Sequence, residues 1–79
     1  MILNTQILNT LRNHAQSELD VAALNVNIYL NSSTGIGEHS GIAESIQYQL
    51  DAMAAAQGRL DAIDYMISQS LEGVFNESA

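Results

Sequence analysis

Apolar residues return at steps of three and four along the first part of the chain: Leu8, Leu11, Ala15, Leu19, Ala22, Val26, then Tyr29 or Leu30. Those steps place them on one face of a helix. Asn9, Arg12, Asn13, Gln16, Asp20 and Asn27 fall opposite and suit water. Val21, Leu24 and Ile28 widen the apolar arc towards the C-terminal half, and an arc that wide calls for more than one neighbour. The pattern predicts a first helix over about 3–30.

The second half is stricter. Ile46, Met53, Leu60, Ile67 and Val74 follow at intervals of seven, with Ala56 and Ile63 three residues after two of them and Ile42, Leu50 and Leu71 alongside. This is the heptad seam of bundles and coiled coils. The Ala52-to-Ala56 stretch is rich in strong helix formers. A glycine inside a helix costs about 1 kcal/mol relative to alanine, so Gly58 raises the alternative of a break and a third helix. The heptad keeps its phase from Met53 to Leu60, however, which predicts one continuous helix with Gly58 at a close contact or a mild bend. The second helix is expected over about 41–72, with a frayed tail at 73–79. At about 1.5 Å per residue the arms are about 42 and 48 Å long, matched as the two arms of an antiparallel hairpin should be.

Between them lies a turn over 31–40. Asn31 to Ser33 are poor helix-interior residues, Gly35 and Gly37 permit the positive φ of a tight reversal, and Ile36 can tuck into the open end. Ser40 or His39 caps the next helix, with Glu38 and Glu44 near the positive end of its dipole. The expected fold is therefore all-α: a single domain over 1–79 forming an antiparallel two-helix hairpin.

Composition narrows the function. The chain has 79 residues, 47% of them hydrophobic, no cysteine, no proline and a formal charge of −7. Disulfides, thiolate catalysis and the usual structural zinc sites are excluded. Arg12 and Arg59 are the only strong cations, too few to release counterions from a nucleic acid or to engage an anionic membrane. The first residues, MILNTQILNTLRNH, have neither the basic segment nor the sustained apolar run of a signal peptide. No stretch approaches the roughly 18 apolar residues of a membrane span. A cytoplasmic location is expected.

Chemical readings of the glycine turn fare poorly. A phosphate-binding P-loop needs Gly-Lys-Ser/Thr and the chain has no lysine; a dinucleotide fingerprint needs three glycines after a strand. Glu38, His39 and Glu44 crowd one helix start and His14–Glu18 form an i, i+4 pair, but the paired Glu-x-x-His motifs of di-iron bundles are missing, so no metal or other cofactor is expected. Ser40 beside His39 lacks an orienting acid and an oxyanion pocket, so no catalytic residue is assigned. Asp61 and Asp64 suit a solvated face, and Tyr29, Tyr48 and Tyr65 suit the rim of a core.

Gly35-Ile36-Gly37-Glu38-His39, with Tyr29-Leu30-Asn31 ahead of it and an acidic amphipathic helix running to Leu60-Asp61-Ala62-Ile63-Asp64-Tyr65 behind, resembles small uncharacterised helical proteins of tailed phages of the marine cyanophage type. The resemblance covers roughly Val26 to Tyr65, and Gly35–His39 is its only specific motif. Ser40-Gly41 departs from the Pro or Ser followed by Asp expected after the histidine, which weakens the helix start. The resemblance implies a phage source, hence host cytoplasm or virion, and no activity.

A lone hairpin gives each helix one neighbour and leaves much apolar surface wet. The expected remedy is a C2 homodimer in a four-helix bundle, with Leu19, Val26, Ile46, Leu50, Met53, Leu60, Ile63 and Ile67 at the oligomer interface and Val21, Leu24, Ile28 and Leu71 also needing cover. The corresponding function is a non-enzymatic oligomerisation or protein-interaction module with itself and an unidentified protein as partners, in keeping with a phage accessory protein. Two alternatives stand beside it: an acidic mimic that occupies the groove of a nucleic-acid-binding protein, for which Glu44, Asp51 and Asp61 would have to line up, and a metal-binding bundle.

Overall fold

Two helices make up the hairpin: α1, Ile2–Ser32, and α2, His39–Glu77. The computed structural model describes residues 2–32 and 39–77, with side chains over 5–32 and 41–69. Within these the chain is entirely helical, and the helices pack against each other along their length. Gly35 and Gly37, expected to turn the chain, lie outside the described residues; His39 is the first residue of α2.

The helix limits agree with the periodicity to within the usual fraying, except at the C-terminal end. The tail expected to fray from Gly73 is helical as far as Glu77. Val74 continues the series of Leu60 and Ile67, and no proline interrupts the segment, so the pattern itself gave the helix reason to continue.

The seam is built from two lines of residues on each helix, each stepping by seven. On α1 they are Leu8, Ala15, Ala22 and Tyr29, and Arg12, Leu19 and Val26; on α2 they are Ile46, Met53, Leu60 and Ile67, and Ile42, Gln49, Ala56 and Ile63. Every one of these side chains is buried or half-buried. Those most enclosed are small: Ala15, Ala22 and Ala56, joined by Leu60. Separation between packed helices is set by the side chains at their contact, so alanines on both sides bring the backbones close.

Within one chain this seam already takes up Leu60 and shares most of the other residues expected at the oligomer interface. Leu60 is only 3% exposed within one chain, and Leu19, Val26, Ile46, Met53, Ile63 and Ile67 are half-buried in the same seam. Their partner is α1 or α2 of the same hairpin. Leu50 is exposed, but on the flank that carries Gln57 and Asp64 at seven-residue spacing.

Gly58 sits within an unbroken α2. A Cβ built on it would meet nothing within 4 Å, so neither a break nor a close contact explains it. The molecule is a rod, 65 × 16 × 13 Å, with a radius of gyration of 18.2 Å; a compact domain of this length would have about 12 Å.

Two stability outcomes follow. Gly58→Ala removes a helix-interior glycine from open space and should stabilise the fold by about 0.5–1 kcal/mol, read as a higher urea midpoint at fixed protein concentration. Ala56→Leu should do the reverse, costing about 1–3 kcal/mol as the added atoms force the helices apart.

Candidate interaction surface

Much large apolar surface stays outside the fully buried core. Among the described residues Ile7, Leu11, Val21, Leu24, Ile28, Leu30, Tyr48, Leu50, Tyr65 and Met66 are large, hydrophobic and exposed, from 48% at Leu50 to 72% at Tyr48. Most are not scattered. Ile7, His14, Val21 and Ile28 stand at seven-residue intervals along α1, flanked by Leu11 and Leu24. On α2, Tyr48, Ala55 and Ala62 form one such line, and Ala52, Arg59 and Met66 form the line beside it.

The two sets share one side of the hairpin. His14, Glu18 and Val21 of α1 line an open groove of about 320 Å³ together with Gln49 and Ala52 of α2. Near the turn, Tyr29 and Tyr48 border a second open depression with Glu44. The opposite side carries Asn9, Asn13, Gln16, Asp20 and Asn27 on α1 and Gln47, Gln57, Asp61 and Asp64 on α2. One side is therefore predominantly apolar, and the other is mainly polar with Leu30 and Leu50 exposed among its polar residues.

Polar contacts across the seam fix its register. Arg12 Nε donates to Asp64 Oδ1 at 2.7 Å and its Nη2 to Oδ2 at 3.4 Å. Arg59 pairs with Glu18. Towards the turn, Asn25 Nδ2 donates to Gln49 Oε1 at 3.3 Å in a partly buried contact. The three pairs advance together along the antiparallel helices, and the first two occupy both strong cations of the chain. Arg12, expected on the water side, is half-buried at the seam, its stem covering apolar surface while its head reaches Asp64. Asp64, expected on a solvated face, is the other half of that pair; its neighbour Asp61 accepts from Gln57 Nε2 at 3.1 Å.

Accepting the Arg59 hydrogen bond holds the Glu18 carboxyl below its ordinary pKa; partial desolvation opposes this, and the charges of Arg59 and His14 add to it. Arg59 is raised in turn, chiefly by its hydrogen bond to Glu18, as Arg12 is by Asp64.

The candidate chemical groups do not converge. His14 Nε2 lies 3.6 Å from Glu18 Oε1, but that oxygen already receives Arg59, whose charge would oppose a metal ion there. Among the described residues no three His, Asp or Glu side chains gather to hold a metal; the side chains of Glu38, His39 and Ser40 lie outside them. Tyr48 and Tyr65 are mostly exposed, which places them beyond the core rim expected for them. Glu44, Asp51 and Asp61 spread over about 25 Å of α2, sparse beside a duplex that carries one charge per roughly 1.7 Å. No helix among the described residues is long and apolar enough to cross a membrane.

Comparison of the chain with known protein families, with curated proteins and with solved structures finds no match.

The Glu18–Arg59 pair gives an acid dependence whose sign is fixed. A carboxylate with a depressed folded pKa contributes stability in full above its unfolded value of about 4.3 and loses it as the pH falls through the folded value. Thermal melts should show Glu18→Gln less stable than the unaltered chain at pH 6, with the gap closing as the pH is taken below about 4.

Proposed function

We propose that the chain is a non-enzymatic interaction module that assembles with itself, two hairpins forming a four-helix bundle. One observation carries this reading: four buried residues, three of them alanine, form the described core, while ten large apolar side chains remain outside it. Monomeric proteins seldom expose apolar surface in contiguous patches larger than a few hundred Å².

Area supports the same reading. The solvent-accessible surface is 5868 Å², whereas a compact monomer of 8.5 kDa would expose about 4,700 Å². The excess, on the order of 1,200 Å², is comparable to the roughly 600–1,000 Å² that each partner contributes to a stable interface. A second protein partner would then engage the assembled bundle, in the host cytoplasm or the virion that the phage resemblance of Gly35–His39 implies. Neither a cofactor nor a catalytic step belongs to this function.

Light scattering or sedimentation equilibrium at micromolar concentration should give twice the chain mass of 8.5 kDa, and added salt should strengthen association by screening like charge. A monomer under those conditions would sink the proposal. Tight, salt-weakened binding to a basic partner would favour the acidic-mimic alternative instead.

A further inference from the structure

We infer that the copies join through the face bearing Val21 and Ala55, with the twofold axis along the bundle and both turns at the same end. This rests on the self-association proposed above and adds the face and the orientation.

The face is unequal in a way that suits a second copy of itself. Its α1 half is a ridge of Ile7, Leu11, Val21 and Ile28, all about half exposed. In the middle of its α2 half are the small residues Ala52, Ala55 and Ala62, with Arg59 among them drawn towards Glu18. A twofold interface sets the same patch against itself, and only some orientations bring ridge onto trough. With the axis along the rod, α1 of each copy lies on α2 of the other at an unchanged height. The register set by Arg12–Asp64 and Glu18–Arg59 then brings Val21 over Ala55, and Ile28 next to Tyr48, of the second copy. An axis across the rod would instead lay ridge on ridge and alanine on alanine.

Charge points the same way. Among the described residues, Glu18 is the one carboxylate in the lines that make up this face, and Arg59 neutralises it; Glu44 stands at the rim near the turn. On a chain of charge −7 this is the side another copy can approach without opposing like charge. The axial arrangement also sets Glu18 at the height of Arg59 of the second copy, so the two ion pairs become one alternating cluster of four charges. The transverse arrangement has no such complementarity built into it.

Two variants test the face. Val21→Asp should halve the mass seen by light scattering while keeping the helical circular dichroism, because Val21 is 57% exposed and outside the seam; Ala55→Glu should do the same. Ala54→Asp, exposed on the polar side, should leave the dimer intact. If the unaltered chain dimerises and Val21→Asp does so equally well, the face is wrong although self-association stands; if the unaltered chain is monomeric, both readings fall.

Orientation is read by cross-linking, for which the absence of native cysteine gives a clean background. Val21→Cys mixed with Ala55→Cys should yield mainly the mixed disulfide on oxidation. Self-linked Val21→Cys as the dominant product would overturn the axial twofold.

Discussion

The fold depends on how closely two backbones approach at Ala15, Ala22 and Ala56. Small side chains at a helix contact permit close packing, but they bury little apolar area, and burial is the main term opposing conformational entropy. The large side chains of α1 are then displaced from the seam: Val21 and Ile28 sit one position ahead of Ala22 and Tyr29 and face outward. A thin core and a greasy outer face are thus one choice seen from two sides. Had Val21 and Ala22 exchanged places, the hairpin would hold more of its own apolar surface and have less to offer a partner.

Much of this was legible in the sequence. The seven-residue phase carried from Ile46 to Ile67 marked α2 as one helix across Gly58, and matched apolar arms either side of a glycine turn marked the hairpin. What the pattern left open was which stripe meets what. Periodicity reports that Ile46, Met53 and Leu60 share a face; it says nothing of whether α1 or another chain covers them. The outward line of Ile7, His14, Val21 and Ile28 has the same period but is diluted by a histidine, while its α2 counterpart is mostly alanine, which reads as helix propensity rather than as surface. That Val21, Leu24 and Ile28 widen the apolar arc beyond the seam was visible; the small residues beside them on α2 were not. Arg12 was misplaced for a related reason, since a charged residue read as water-facing has a long apolar stem that belongs at the seam edge.

Exposed ion pairs are individually worth about 0–1 kcal/mol, so Arg12–Asp64 and Glu18–Arg59 add little to stability. Their value lies in selection among registers. A chain with only two strong cations can satisfy both in few alignments. Sliding α1 by one heptad would preserve the apolar seam, replacing one seven-residue series by its own translate, but would strand Arg12 and Arg59 away from Asp64 and Glu18. The partly buried Asn25–Gln49 contact would be lost in the same slip.

Segregation of charge leaves this strongly acidic chain one side with few carboxylates. At physiological ionic strength, charges further apart than about 8 Å are largely screened. Asp20, Asp51, Asp61 and Asp64 lie off the apolar face and, in a bundle closed through that face, stay on its solvated outside. The carboxylate nearest the contact, Glu18, carries its own counter-charge. Repulsion between copies is therefore a long-range, salt-weakened term, whereas apolar contact is short-range and scales at about 25 cal/mol per Å². In the proposed bundle the carboxylates would stay on the outside, where their repulsion acts only at long range and salt weakens it.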